Sequence, residues 1–273
     1  MSTNWLDELA RQLILESAPV QLSTPHSGYG TTADLFTPPS LTGSDGTFVE
    51  LDTALERSGG IVIVGPPGSG KTSLLRRRAL LQATAFVNGQ SPKCPVFVRA
   101  AALDPGQAGD QDLPSLVGPL FNRPNGTSTA ESSLKERFVA GDLLLFIDGL
   151  DEIRTEYRAA VFRAIQRARE TYPHLQLILS SRPAAISGWP EGFLFYYLRG
   201  FTDASIASHV AKLSQGDSER ARRFLVGLGQ DPGFTELARS SLLLTLLWQT
   251  FMASGHIPDN LTFLYADFTD FLL

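Results

Sequence analysis

The apolar residues of this chain follow two alternating patterns over most of its length and a single pattern near its end. Ile61-Val62-Ile63-Val64, Val96-Phe97-Val98, Leu143-Leu144-Leu145-Phe146-Ile147, Leu177-Ile178-Leu179 and Phe193-Leu194-Phe195-Tyr196-Tyr197 are apolar at every position, not at every second one. A strand without a polar face must be buried on both sides. Between these runs lie stretches with helical spacing. In one, Tyr157, Val161, Phe162 and Ile165 share a face while Arg158, Arg163 and Arg167 take mostly the other. Strands alternating with helices predict an α/β fold with a parallel sheet and helices on both faces. Beyond Gly200 only helical spacing remains, at roughly 203–213, 218–228, 234–252 and 261–273, so a small all-helical domain should follow the sheet.

At the start, Trp5, Leu6, Leu9 and Leu13 recur at helical spacing among Asp7, Glu8, Arg11 and Gln12, which predicts a short amphipathic helix. Its apolar face needs a partner: the chain's own body, another subunit or an effector. From Ser23 to Gly46, Pro, Gly, Ser and Thr crowd together without periodicity, as in a linker or an extended segment laid over the body. The expected organisation is therefore an N-terminal helix and linker (1–47), a nucleotide-binding sheet domain (48–200) and a helical domain (201–273). The chain stops at Phe271-Leu272-Leu273, inside an apolar helical pattern with no C-cap, so the last domain is expected to be cut short.

The first apolar run leads directly into Gly65-Pro66-Pro67-Gly68-Ser69-Gly70-Lys71-Thr72, followed by Ser73 and a helical pattern. Strand, Gly-x-x-x-x-Gly-Lys-Thr and helix is the context of a P-loop, in which glycines let backbone N–H groups turn toward phosphates. Lys71 would reach the terminal phosphates, the Thr72 hydroxyl would ligate magnesium, and the start of the helix would add its positive end. The remaining need is for carboxylates on the far side of the metal and beside the attacking water. The run Leu143–Ile147 ends in Asp148-Gly149-Leu150-Asp151-Glu152, which places Asp148 as the magnesium-side carboxylate and Asp151 or Glu152 as the group that orients or deprotonates water. A further run ends in Ser180-Ser181-Arg182-Pro183. In an open parallel sheet, ligands lie beyond the carboxyl ends of the strands, so Arg182 is placed to sense a γ-phosphate.

Composition narrows this further. The balance of 23 basic and 28 acidic residues, net charge -5, gives no indication of a surface built for nucleic acid. Cys94 is the only cysteine, so no intrachain disulfide can form, and a reducing, cytoplasmic setting is expected. The N-terminus lacks the pattern of a secretory signal, and no span is long and apolar enough to cross a bilayer. His26, His174, His209 and His256 are scattered without metal-ligand spacing, and Arg76-Arg77-Arg78 reads as a solvated helical face. No Asn-Lys-x-Asp segment is present to read guanine, which favours adenine: ATP or ADP with Mg2+.

Taken together, these residues resemble the NACHT group of STAND nucleotide switches, the class that includes NOD-like immune receptors and many bacterial signalling proteins. The spacing in Asp148-Gly149-Leu150-Asp151-Glu152 is similar to that group's acidic motif, whereas AAA+ proteins usually place Asp-Glu directly together. Ser180-Ser181-Arg182-Pro183 resembles its strand-end arginine motif, and Leu198-Arg199-Gly200-Phe201 its junction into the helical domain. Ser241-Leu242-Leu243-Leu244-Thr245-Leu246-Leu247, Gly255-His256-Ile257-Pro258 and Leu264-Tyr265 resemble the end of that domain. The resemblance covers about Phe48 to Leu273 and departs from the family at Ser240-Ser241, where a proline that packs near the adenine is usual. The winged-helix and sensor domains of a STAND protein do not follow, so the chain is expected to be a fragment.

The resemblance implies a molecular switch held closed by ADP and opened by ATP, with slow hydrolysis as a reset, self-association in the ATP form and an unknown effector or sensor partner. Its output would be immune or antiphage signalling. Two other classes fit the P-loop: a kinase of a small molecule or nucleotide, and a scaffold that binds nucleotide without hydrolysing it. A kinase needs an arginine-rich lid, which the helical segment after Phe201 does not resemble.

Overall fold

The computed structural model describes residues 3–16, 35–106, 111–121, 129–185 and 192–257. The expected helix over 261–273, Pro258, Leu264-Tyr265, His26 and the first half of the Ser23–Gly46 stretch lie outside these residues. In chain order the elements are α1 (Thr3–Glu16), β1 (Leu41–Gly43), β2 (Phe48–Val49), α2 (Leu51–Arg57), β3 (Gly60–Val64), α3 (Lys71–Val87), β4 (Cys94–Arg99), α4 (Leu113–Val117), α5 (Thr129–Ala140), β5 (Leu143–Asp148), α6 (Thr155–Thr171), β6 (Gln176–Ser181), β7 (Leu194–Leu198), α7 (Asp203–Leu213), α8 (Ser218–Leu228), α9 (Pro232–Leu237) and α10 (Ser241–Ser254).

All five apolar runs are strands. They form the parallel body of a seven-stranded sheet in the order β2-β1-β7-β3-β6-β5-β4. β3 pairs in parallel with both β6 and β7, and β5 with both β6 and β4. Every residue of β3 and β5 is buried, as a fully apolar run requires of a central strand. The sheet is not wholly parallel, since β1 runs antiparallel to both β7 and β2. These two strands are short, and their Pro/Gly/Thr-rich surroundings hide them from a periodicity argument. The chain leaves β3 for the far edge at β4 and later places β7 on the other side of β3. That makes the end of β3 a topological switch point, where an open α/β sheet binds its ligand.

Among the described residues the chain divides into two compact units. The first comprises 3–16, the described part of 41–66 and that of 71–198; the second comprises 35–40, 67–70 and 199–257. α1 and β1 thus belong with the sheet, and the tip of the phosphate loop is grouped with the helices. In the first unit, Leu6 and Ala10 of α1 are buried, and α1 packs on α3 and β4, so the chain's own body supplies its partner. Arg78 of α3 pairs with Asp52 at 2.7 Å, and the Arg76 guanidinium lies over the Phe97 ring, so the arginine run is more than a solvated face.

In the second unit, Phe224 meets Trp248 and Phe251 edge-on at 5.2 and 5.3 Å in a core of α7, α8 and α10. The single helix expected over 234–252 is two helices, α9 and α10, broken at Ala238–Ser240. There the Arg239 carbonyl accepts from Phe201 N, and the Ser240 hydroxyl caps the new helix by accepting from Leu243 N. Apolar spacing runs through this break, so only the capping serine marked it.

Candidate nucleotide site

The loop after β3 is shaped by two glycines in the left-handed region, Gly68 at φ +69° and Gly70 at φ +93°. A Cβ on Gly68 would stand 3.1 Å from Ser240 Oγ and 3.2 Å from Leu242 Cβ, so the tip also has no room for a side chain. Gly65 N donates to the Ser181 carbonyl at 3.2 Å, which ties the base of the loop to the end of β6. Lys71 opens α3, and its ammonium donates to the Gly65 and Pro66 carbonyls at 2.8 and 2.9 Å. Burial lowers the pKa of Lys71. The charge of Asp151 opposes that shift, Arg182 adds to it, and Asp148 and Glu152 oppose it in turn. These four side chains therefore gather within electrostatic reach of the lysine. Pro66, Pro67, Thr72 and Ser73 are exposed, and Ser69 Oγ is buried without a hydrogen-bond partner among the described residues.

Asp148 ends β5 almost fully buried, at 7% exposure. Ser180 at the end of β6 donates its hydroxyl to Asp148 Oδ1 at 2.5 Å and accepts from Gly149 N at 2.8 Å, so one serine fixes both the carboxylate and the turn after it. Sequence reasoning quoted Ser180 as part of a motif and assigned it no role. Its partners lie 31 and 32 residues away, and no local signal marks such a pairing. Gly149, at φ +77°, turns the chain into a single 3-10 turn, Leu150–Glu152, which splits the two acidic candidates. Asp151 bonds to Arg182, accepting from its Nε at 2.9 Å and from its backbone N at 3.1 Å. Glu152 is exposed, and its carboxylate folds back over Gly149, where a Cβ would lie 3.0–3.3 Å from it. Arg158 of α6 braces the turn with long bonds to the Asp151 and Ile153 carbonyls.

Within the second unit, the loop tip bonds to the start of α10. The Gly68 carbonyl accepts from Ser240 Oγ at 3.1 Å, Ser241 Oγ at 3.2 Å and Leu242 N at 3.4 Å. The serines that stand in place of a proline therefore act on the loop itself. The only sequence sign of this was Ser-Ser ahead of a leucine run, a capping position.

These residues suit a nucleotide with magnesium. Lys71 is a partly buried cation beside the loop, Ser69 Oγ is a buried hydroxyl still without a partner, and Asp148 is a carboxylate anchored through one oxygen. Among the described residues no group of three or more His, Cys, Asp or Glu is arranged to hold a metal by itself. No described helix is long and apolar enough to cross a membrane.

Comparison with known proteins agrees at the level of the fold and the loop. No match was found among curated proteins. Among solved structures the chain is similar to the Walker-type ATPase of Pyrococcus abyssi, with 14% identity over 81% of this chain and 72% of that one at a TM-score of 0.40. It is also similar to a RuvB variant of Thermotoga maritima, with 12% identity over 79% of this chain and 65% of that one at 0.40. Drosophila ORC bound to DNA matches with 14% identity over 92% of this chain and 70% of that one at 0.49. These likenesses are loose, and more weight falls on a family model, described as the AAA ATPase domain, that matches residues 40–179. That span is just over half of the chain and contains the phosphate loop, Asp148, Asp151 and Glu152 but not Arg182. With the P-loop and the acidic strand end both inside a matched span of just over half its length, the chain belongs to the AAA ATPase domain family.

Proposed function

We propose that this chain is an ATP- and ADP-binding switch of the NACHT/STAND class, with slow hydrolysis as a reset and self-association in the ATP form, serving immune or antiphage signalling. The observation that carries the reading is the bonding of the loop tip. The Gly68 carbonyl is held by Ser240, Ser241 and Leu242 at the start of α10, so a change in the phosphate loop is passed directly to a helix. A switch also requires that the two nucleotides favour different conformations, and only a contact to the γ-phosphate can separate ATP from ADP. Arg182, at the end of β6 and near Lys71, supplies that contact in this reading.

The other roles follow from the same geometry. Lys71, Ser73 and the loop 65–70 would hold the nucleotide, and Thr72 and Asp148 would hold the magnesium shell. The chemistry that magnesium would supply there is to offset the negative charge developing on the phosphates. Glu152, exposed beside Gly149, is the carboxylate assigned to water.

Phosphate release from Glu152→Gln should fall by about 10²–10⁴ while nucleotide affinity persists, because the change removes a base and little else. The variant should then keep ATP bound and, by light scattering, form larger particles than the ADP-loaded protein. Normal turnover in Glu152→Gln would remove this residue from the mechanism, and equal particle size with ATP and ADP would remove self-association from the function.

A further inference from the structure

Asp151 sits one residue before Glu152 but in different surroundings. Its side chain is 13% exposed, and both of its oxygens are committed to the same residue, Oδ2 to the Arg182 Nε and Oδ1 to the Arg182 backbone N. The contact is made at Nε, and the arginine side chain remains 51% exposed. An arginine gripped by its main chain and its Nε loses most of its torsional freedom, and the outer edge of its planar fork is then aimed in one direction. The carboxylate itself is braced. Gly149 turns the chain in the left-handed region, Ser180 holds Gly149 N, and Arg158 reaches the Asp151 carbonyl. A general base needs a lone pair turned to water, and Asp151 spends its two oxygens on an arginine.

We infer that Asp151 is a positioning residue that aims the Arg182 guanidinium, and thereby sets how strongly the site prefers ATP over ADP, and that it is not the base. The inference rests on the reading of Arg182 as the γ-phosphate contact. The charge of Asp151 also counters the lowering effect of Arg182 on Lys71, so one carboxylate offsets the repulsion between the two cations of the site. Removing it leaves both cations in place but frees one of them to turn.

The test is a mutant cycle read as nucleotide preference. Fluorescent ATP and ADP analogues, with magnesium, are titrated against the whole chain, Arg182→Ala, Asp151→Ala and the double variant. Arg182→Ala should reduce the ATP-over-ADP ratio about tenfold, the size of one charged hydrogen bond. Asp151→Ala should reduce it to a similar degree although the arginine is intact, and the double variant should fall no further than Arg182→Ala alone. A tie that is merely structural would lower the melting temperature and leave the ratio unchanged. Asp151→Asn, which retains the side-chain size, supplies the same ratio if Asp151→Ala does not fold. If Arg182→Ala shifts the ratio and the Asp151 variants do not, the positioning role is wrong and the γ-phosphate contact stands. If the two losses add in the double variant, Asp151 acts on its own and the inference fails. If Arg182→Ala leaves the ratio unchanged, the γ-phosphate reading fails and takes this inference with it.

Discussion

At the scale of single residues, the site is an arrangement of a few charges around Lys71. Its ammonium bonds to the Gly65 and Pro66 carbonyls, and Asp151, Arg182, Asp148 and Glu152 all act on its charge. Lys71→Ala should abolish tight binding of both ATP and ADP with the fold intact, since the backbone of the loop does not depend on the lysine for its glycine conformations. Fluorescent-nucleotide titration measures this, and affinity within about threefold of wild type, under ~1 kcal/mol, would overturn the assignment of the loop. The loop and Asp148 are legible in sequence because their chemistry is local: residues eight apart or fewer, flanked by an apolar strand, carry the whole signal. The division of labour between Asp151 and Glu152 is not. It depends on the turn at Gly149 and on the position of β6, and spacing treats the two carboxylates alike.

At the scale of elements, α10 shows how a cap can serve two ends. Ser240 accepts from Leu243 N and donates to the Gly68 carbonyl, so one hydroxyl starts a helix and steadies a loop. Ser240→Ala should cost about 1 kcal/mol of stability as a lost N-cap, and a urea unfolding curve would report it as a lower midpoint at unchanged slope. An unchanged midpoint would mean that the cap contributes nothing and that Leu242 N and Ser241 hold the loop alone. The same serine explains why one expected helix became two. Apolar spacing continues across Ala238–Ser240, but a backbone turned out to meet Phe201 cannot stay helical. β1 was missed for a related reason, since three residues lend too little periodicity to be seen until β7 pairs with them.

At the scale of the whole molecule, one buried titratable group links stability to pH. The His209 ring lies between the hydroxyls of Thr37 and Thr245, each 3.2 Å away, and draws the segment before β1 onto α7 and α10. Burial first and then the charge of Lys212, opposed by a bond to Leu35, bring its pKa from 6.5 down to about 4. The unfolded chain then binds a proton that the folded chain refuses. Stability from this group is full above about pH 6.5 and is lost as the pH falls toward 4, a loss on the order of 3 kcal/mol. Unfolding midpoints between about pH 7 and pH 4 should fall less steeply in His209→Gln than in wild type, and parallel slopes would show that His209 is not the linked group. From sequence this histidine looked ordinary, because Thr37 and Thr245 lie 172 and 36 residues away. The sequence by itself determined the five parallel strands, most of the helices and the phosphate loop, since burial periodicity and glycine chemistry act over a few neighbouring residues. Only the tertiary structure decided which strands pair, which carboxylate holds the arginine and which serine holds the loop. Those choices are contacts between segments far apart in the chain, and a single sequence carries no local mark of them.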